Sequence, residues 1–275
     1  MKNASSRINE AFSHAPVLPL SECSRYVLFS DCHRGNGSSN DNFLKNQNLY
    51  FAALNYYYEE NFCYIELGDG DELWENRCFS SIQEIHSNVF WLLSKFYDEH
   101  RLWMLYGNHN MVKQKLHPFS DCCFYEGLIL EDCAEQKNLY LTHGHQADFF
   151  NSVLWRLSRF LVRYLWRPLE QFGVLDPTSA AKNYRVKKNT ERKLQAWAKS
   201  EGKILITGHT HRPVLGSKES PYFNSGSCVH PRCNTCLELE HRTLTLVKWT
   251  LATRENRSLY VSREVLAPPI SLDQL

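Results

Sequence analysis

Two rhythms of apolar residues alternate along the chain. Tyr26-Val-Leu-Phe29 is an uninterrupted apolar run, which predicts a buried strand, and it closes on Ser30-Asp31-Cys32-His33. Phe62–Leu67, Arg101–Tyr106, Asn138–Thr142 and Lys203–Thr207 repeat that form. Between them the spacing turns helical. Phe43, Leu44, Gln47, Tyr50, Phe51, Leu54 and Tyr58 predict a helix over 43–60, and Ile82, Ile85, Val89, Phe90, Leu93 and Phe96 one over 79–99. Strands alternating with helices predict an α/β fold, whose sites lie beyond the carboxyl ends of the strands. Residues 1–20, polar and then broken by Pro16 and Pro19, predict an extended lead-in over the surface. From Tyr222 onward, short alternating runs (Tyr222–Ser225, Cys236–Glu240, Leu244–Leu251, Ser258–Val261) predict a β-rich, antiparallel half packed beside or against the first sheet. The whole reads as one domain over residues 1–275, with a helical insertion or lid over 147–200.

Bulk properties narrow the function classes without choosing among them. A length of 275 residues allows a substantial core. A formal charge of +1 excludes a global field toward nucleic acid or anionic lipid, so such a preference must come from a local patch. The ten cysteines are scattered, and Cys63 and Cys133 sit in apolar runs as small hydrophobes. With no apolar signal core at the start and no span long enough for a bilayer, a reduced, cytoplasmic protein is expected, with peripheral contact at the inner membrane surface as an extension of that reading.

The chemistry lies where the strands stop. Asp31 and His33, two apart in an extended stretch, point the same way. Asp69, Asn108, His143 and the pair His209/His211 close the other four runs. An isolated Asp-x-His or Gly-Asp is usually a turn; five strand ends that each carry a metal-ligating side chain are a different matter.

Asp31-Cys-His33, Gly68-Asp69, Gly107-Asn108-His109, His143-Gly144 and Gly208-His209-Thr210-His211 match, in order, the motifs of the calcineurin-like metallophosphoesterases, and over Tyr26–His211 the chain resembles that family. The resemblance implies two stacked mixed β-sheets flanked by helices. It also implies two divalent transition-metal ions, manganese first, with iron or zinc as alternatives. Asp31, His33, Asp69 and His211 would hold the first ion; Asp69, Asn108, His143 and His209 would hold the second, with Asp69 as the bridge. The implied reaction hydrolyses a phosphate ester or pyrophosphate by in-line attack of a hydroxide shared between ions about 3.5–4 Å apart, without a covalent phosphoenzyme. His109 would face the leaving group, as general acid or phosphate donor. The chain departs from the family at Asn110, where Asp or Glu is common. An amide cannot stabilise imidazolium as a carboxylate does, so His109 is expected to be a weaker proton donor unless Asp71, Glu72 or Asp148 supplies the charge. Arg34, Asn110 and His145 are candidate substrate contacts. Arg77 is read as a salt-bridge partner of Asp71, Glu72 or Glu75.

The connection between His143 and His209 bears on the substrate. Phe150, Val153, Leu154, Leu157, Phe160, Leu161, Tyr164 and Leu165 share one helical face, Arg156, Arg159, Arg163 and Arg167 the other, and Pro168 ends the pattern. A basic helix over about 180–200 carries Lys182, Arg185, Lys187, Lys188, Arg192 and Lys193. Three readings stand together: a packed helical pair with a solvated charged face, an interfacial segment on an anionic membrane through residues 149–167, and a lid over an acyl chain or nucleotide. The placement is similar to that in UDP-2,3-diacylglucosamine pyrophosphatases, which typically have Arg where this chain has His109. The expected partner is a phosphorylated small molecule or lipid-linked substrate, with no obligate protein partner. A nuclease or cyclic-nucleotide phosphodiesterase is the enzymatic alternative, so nucleic acid stays open, and a non-catalytic scaffold of the same fold is the other. Cys228, Cys233 and Cys236 with His230 or His241 form only a partial zinc pattern and read as loose thiols.

Overall fold

The computed structural model describes residues 2–38, 41–111, 123–135, 137–166 and 183–275. In chain order the main elements are α1 (Ala4–Ala11), β1 (Val17–Leu20), β2 (Arg25–Phe29), α2 (Gln47–Glu59), β3 (Cys63–Glu66), α3 (Phe79–Ile85), α4 (Ser87–Asp98) and β4 (Leu102–Leu105). They continue through β5 (Phe124–Tyr125), β6 (Gly127–Asp132), β7 (Leu139–Thr142), α5 (Phe149–Ser152), α6 (Trp155–Leu161) and α7 (Tyr184–Glu201). The chain then runs β8 (Ile204–Thr207), β9 (Tyr222–Asn224), β10 (Cys233–Glu240), β11 (Thr243–Thr253), β12 (Leu259–Val265) and β13 (Ile270–Ser271).

The fold is mixed α/β, with two mixed sheets and helices. One sheet has five strands in the order β1-β6-β7-β8-β9; the other has eight, in the order β12-β11-β10-β2-β3-β4-β5, with β13 added on β11. β2, β3, β4 and β5 are mutually parallel, as are β7, β8 and β9. Period-two alternation assigns each strand two faces. Leu28, Ile65 and Leu237 of the larger sheet share a buried cluster with Leu130, Leu141 and Ile206 of the smaller. The opposite faces, with Val27, Phe29, Tyr64 and Trp249, pack on Tyr50, Leu54, Leu93 and Phe96 of α2 and α4. Behind the smaller sheet, Leu205 and Tyr222 meet Ile8 of α1 and Leu194 and Trp197 of α7.

Several expectations change in the folded chain. Residues 1–20 are not an extended lead-in: α1 docks on α7, where Trp197 Nε1 donates to Asn9 Oδ1 at 2.9 Å, and β1 pairs parallel with β6. Pro19 is tolerated because β1 is an edge strand. The helix over 79–99 breaks at His86, whose ring turns inward, Nε2 3.0 Å from Asp41 Oδ2 and Nδ1 3.1 Å from Gln47 Oε1. The β-rich half divides: β9 extends the smaller sheet in parallel, while β10, β11 and β12 continue the larger one antiparallel. Cys63 is half-buried and Cys133 exposed rather than in the core; Cys228 and Cys236 are buried free thiols outside the potential metal-binding groups among the described residues. No helix among the described residues is long and apolar enough to cross a membrane. Arg167, Pro168 and Lys182 lie outside the described residues.

Candidate metal centre

The residue types that close the strands also tolerate the backbone turns required there. Asp31, His33, Asp69, His209 and His211 all take left-handed φ values, between 49° and 67°. Asp and His visit that region more readily than most side chains, and non-glycine residues held in it cluster at functional sites. Glycine is required beside them. A Cβ on Gly107 would stand 2.0 Å from Asp69 Oδ1 and 2.4 Å from Asp69 N.

These turns bring donors from both sheets to one place. β2, β3 and β4 of the larger sheet deliver Asp31, His33, Asp69 and Asn108; β7 and β8 of the smaller deliver His143, His209 and His211. A bond across the sheets, His209 N to Asp31 Oδ2 at 2.9 Å, ties the halves together. Three groups present donor atoms within 4.8 Å of one another: Asp31 with His33 and His211, Asp69 with His143 and His209, and His33 with Asp69 and His109. His33 Nε2 and His211 Nε2 are 3.3 Å apart, and His143 Nε2 is 3.1 Å from Asp69 Oδ2.

Ring orientation is controlled from behind. His143 Nδ1 donates to Leu67 O at 2.8 Å, which leaves the Nε2 lone pair facing the centre. His211 O accepts from His230 Nε2 at 2.6 Å, and Asn224 Nδ2 donates to Gly208 O at 2.6 Å, fixing the Gly208–His211 turn. Burial pushes His211 down to about 4 against the opposing pull of Asp31. Burial also opposes charge on Asp31 and Asp69, but the surrounding histidines outweigh it and hold both carboxyls ionised. The converse holds at His33 and His143: desolvation is overcome by Asp31 and Glu72 at His33, and by Asp69 and Asp31 at His143, raising both.

The donor set fits cations. Asp31 Oδ1, Asn108 Oδ1, His143 Nε2 and His209 Nε2 are buried without hydrogen-bond partners. Buried polar atoms are normally paired, and lone pairs face one another only where something positive comes between them. Clusters of His and Asp therefore stand ready to bind metal ions.

Beside these donor groups, His109 is still open to solvent, with 20% of its side chain exposed. Its ring stacks on Trp74 at 4.3 Å and its Nδ1 lies 2.7 Å from Glu72 Oε1. The other oxygen of that carboxylate, Oε2, is 2.8 Å from His33 Nδ1. Against desolvation, Glu72 and Asp69 raise the pKa of His109. This answers the question posed by Asn110: a carboxylate does back His109, and it comes from the loop after β3. Of the alternatives Asp71, Glu72 and Asp148, the geometry places Glu72 against His109. Asn110 is buried instead, its Oδ1 accepting from Gly107 N at 2.6 Å.

Arg34 is also corrected. Its guanidinium is fully buried, 2.7 Å from Asp71 Oδ1 and 2.9 Å from Glu66 Oε2, and out of reach of a substrate arriving from solvent. His145 is buried against His143 and His209, with ring centroids 5.5 and 6.4 Å away, and its Nδ1 lacks a hydrogen-bond partner. Asp148 caps α5 and reaches to 3.7 Å from His209 Nε2. Arg77, read from the sequence as a salt-bridge partner, donates to Tyr164 Oη at 2.6 Å.

Within the insertion, α7 packs Leu194, Trp197 and Ala198 inward and leaves Arg185, Lys188 and Arg192 exposed, as expected of a packed helix with a solvated charged face, but Phe149–Trp166 is oriented the other way. Phe150, Val153, Leu157, Phe160, Tyr164 and Leu165 are exposed, while Arg163 turns inward and donates to Trp74 O at 2.7 Å and Leu73 O at 2.9 Å.

No family model and no curated protein matches the chain. Among solved structures, Vps29 of Chaetomium thermophilum is similar at 12% identity, with a TM-score of 0.44 over 90% of this chain and 97% of that one.

Proposed function

We propose that the chain is a dinuclear metal-dependent phosphoesterase that cleaves a phosphate ester or pyrophosphate of a small or lipid-linked molecule. The observation that carries this reading is the convergence of Asp and His donor groups from five strand ends, four of which carry a buried oxygen or nitrogen without a hydrogen-bond partner. Asp31, His33, Asp69 and His211 would hold one ion; Asp69, Asn108, His143 and His209 would hold the other. Mixed imidazole and carboxylate donors suit manganese, iron or zinc better than magnesium or calcium. Such a pair supplies Lewis acidity toward phosphoryl oxygens and lowers the pKa of water.

The protein's own groups do the rest. Glu72 holds His109 through Nδ1, which turns Nε2 outward, and its charge stabilises the imidazolium form. His109 then gives its Nε2 proton to the departing oxygen. Trp74 keeps the ring in plane and covers one face of it against water. Glu72 also orients His33, so a single carboxylate sets the geometry of a metal ligand and of the proton donor.

The test is hydrolysis by the full chain reconstituted with manganese, across phosphomonoesters, phosphodiesters and nucleoside-diphosphate-linked lipids, alongside metal analysis. The expected result is two metal equivalents, turnover of at least one class, and loss of both in Asp69→Ala. Equal activity in Asp69→Ala, or two bound equivalents without turnover of any class, refutes the reading.

A further inference from the structure

The segment Phe149–Trp166 turns its apolar side away from the body. Phe150 in α5, Val153 in the link that follows, Leu157 and Phe160 in α6 and Tyr164 in the π-helical turn after it are all exposed. Phe150, Leu157 and Phe160 leave 52%, 50% and 58% of their surface to solvent. Single exposed apolar residues are ordinary, but several large ones exposed within one short segment mark an interaction surface. The orientation is enforced from below: Ser158 is buried and donates to Phe150 O at 3.1 Å, and Arg163 is fastened to the carbonyls of Leu73 and Trp74.

Charge narrows the occupant. Residues 149–166 contain three arginines and no acidic residue. Arg156 is exposed, its guanidinium 5.5 Å from the centroid of the Trp155 ring. Arg77 bonds Tyr164. The Arg77 guanidinium lies 6.0 Å from the centroid of the Tyr164 ring, so Arg77 and Arg156 flank the apolar side. A second copy docking symmetrically would bring these cations onto their own image. A lipid surface with phosphates above acyl chains offers anions and an apolar layer in the same arrangement.

We propose that this face docks on a membrane containing anionic phospholipid, with Phe150, Leu157 and Phe160 entering the acyl boundary and Arg77 and Arg156 meeting headgroup phosphates. The proposal does not depend on the hydrolase reading.

Flotation of the full chain with vesicles tests it, using phosphatidylcholine alone or with about 30% phosphatidylglycerol. The expected result is co-flotation with the anionic vesicles, weaker on phosphatidylcholine alone and falling as salt rises. Leu157→Asp with Phe160→Asp should reduce partitioning at least about tenfold, and Arg156→Gln about fivefold. Phe160→Ser serves as the milder variant, and unchanged melting of each variant shows that the fold is intact. Absence of flotation with either vesicle overturns the proposal, as does partitioning that these substitutions leave unchanged. A concentration-dependent dimer abolished by Phe160→Ser, without flotation, assigns the face to a second copy instead.

Discussion

Replacing Glu72 by Gln tests the chemistry of the centre most directly. Its two oxygens lie 2.7 Å from His109 Nδ1 and 2.8 Å from His33 Nδ1, and only 9% of the side chain is exposed. Each contact is a charge-assisted hydrogen bond worth about 1.5–3 kcal/mol. Glutamine offers one acceptor and one donor, so it can satisfy only one ring and presses the other toward the opposite tautomer. Losing one bond at about 2 kcal/mol lowers kcat about thirtyfold, and full loss of the oriented acid lowers it by about a thousandfold. The assay is steady-state hydrolysis of aryl phosphates with graded leaving groups, over a pH range, with metal content measured in parallel. The poorest leaving groups should lose most, and affinity at the position held by His33 should fall about ten- to a hundredfold.

The metal-free fold should respond as well. His33 and His109 have raised pKa values, so their contribution is whole below the unfolded value of about 6.5 and is lost as pH rises through the folded value. Glu72 is shifted downward: burial opposes its ionisation, but His109 and His33 overcome that, so its share is present above about 4.3 and fades as pH falls. The bridge is therefore strongest between these limits. Melting in chelator should show Glu72→Gln costing more near pH 6 than in strong alkali. A kcat within threefold of the parent, with the same leaving-group slope and the same pH profile, would refute the role given to Glu72.

Two further substitutions separate structure from catalysis. Asn110→Asp retains an acceptor for Gly107 N and should leave the leaving-group dependence of hydrolysis unchanged; a steeper or shallower slope would reinstate Asn110 behind His109. Arg34→Met strands the carboxylates of Glu66 and Asp71 in the interior and should cost about 3–5 kcal/mol in denaturant unfolding, whereas a KM effect on a stable protein would return Arg34 to the substrate.

What the sequence made legible follows from local rules. Each strand ends in a turn, and Asp, Asn or His just past the end has few directions in which to point; the five donor positions could therefore be read from runs such as Tyr26–His33. Partner choice obeys no local rule. Asp71, Glu72 and Asp148 were equal candidates behind His109, and only the fold decides that Glu72 reaches it while Asp71 turns to Arg34. Amphipathic spacing likewise reveals two unlike faces of Phe149–Trp166 but not which one turns inward. That was settled by carbonyls at Leu73 and Trp74, remote in sequence, which draw Arg163 down. α1 and β1 are not legible in the sequence, because prolines and polar residues mask short elements whose order comes from Trp197 and β6.

The origin of the donors in two different sheets bears on how the chain matures. Asp31 and His209 are 178 positions apart, so their meeting awaits docking of both layers and closure of a very long loop. Cations bound there would not template the early steps of folding; they would engage an almost finished molecule. Their influence would then fall on the rate of opening rather than on the rate of collapse, and the protein without them would come apart first along the seam between the layers.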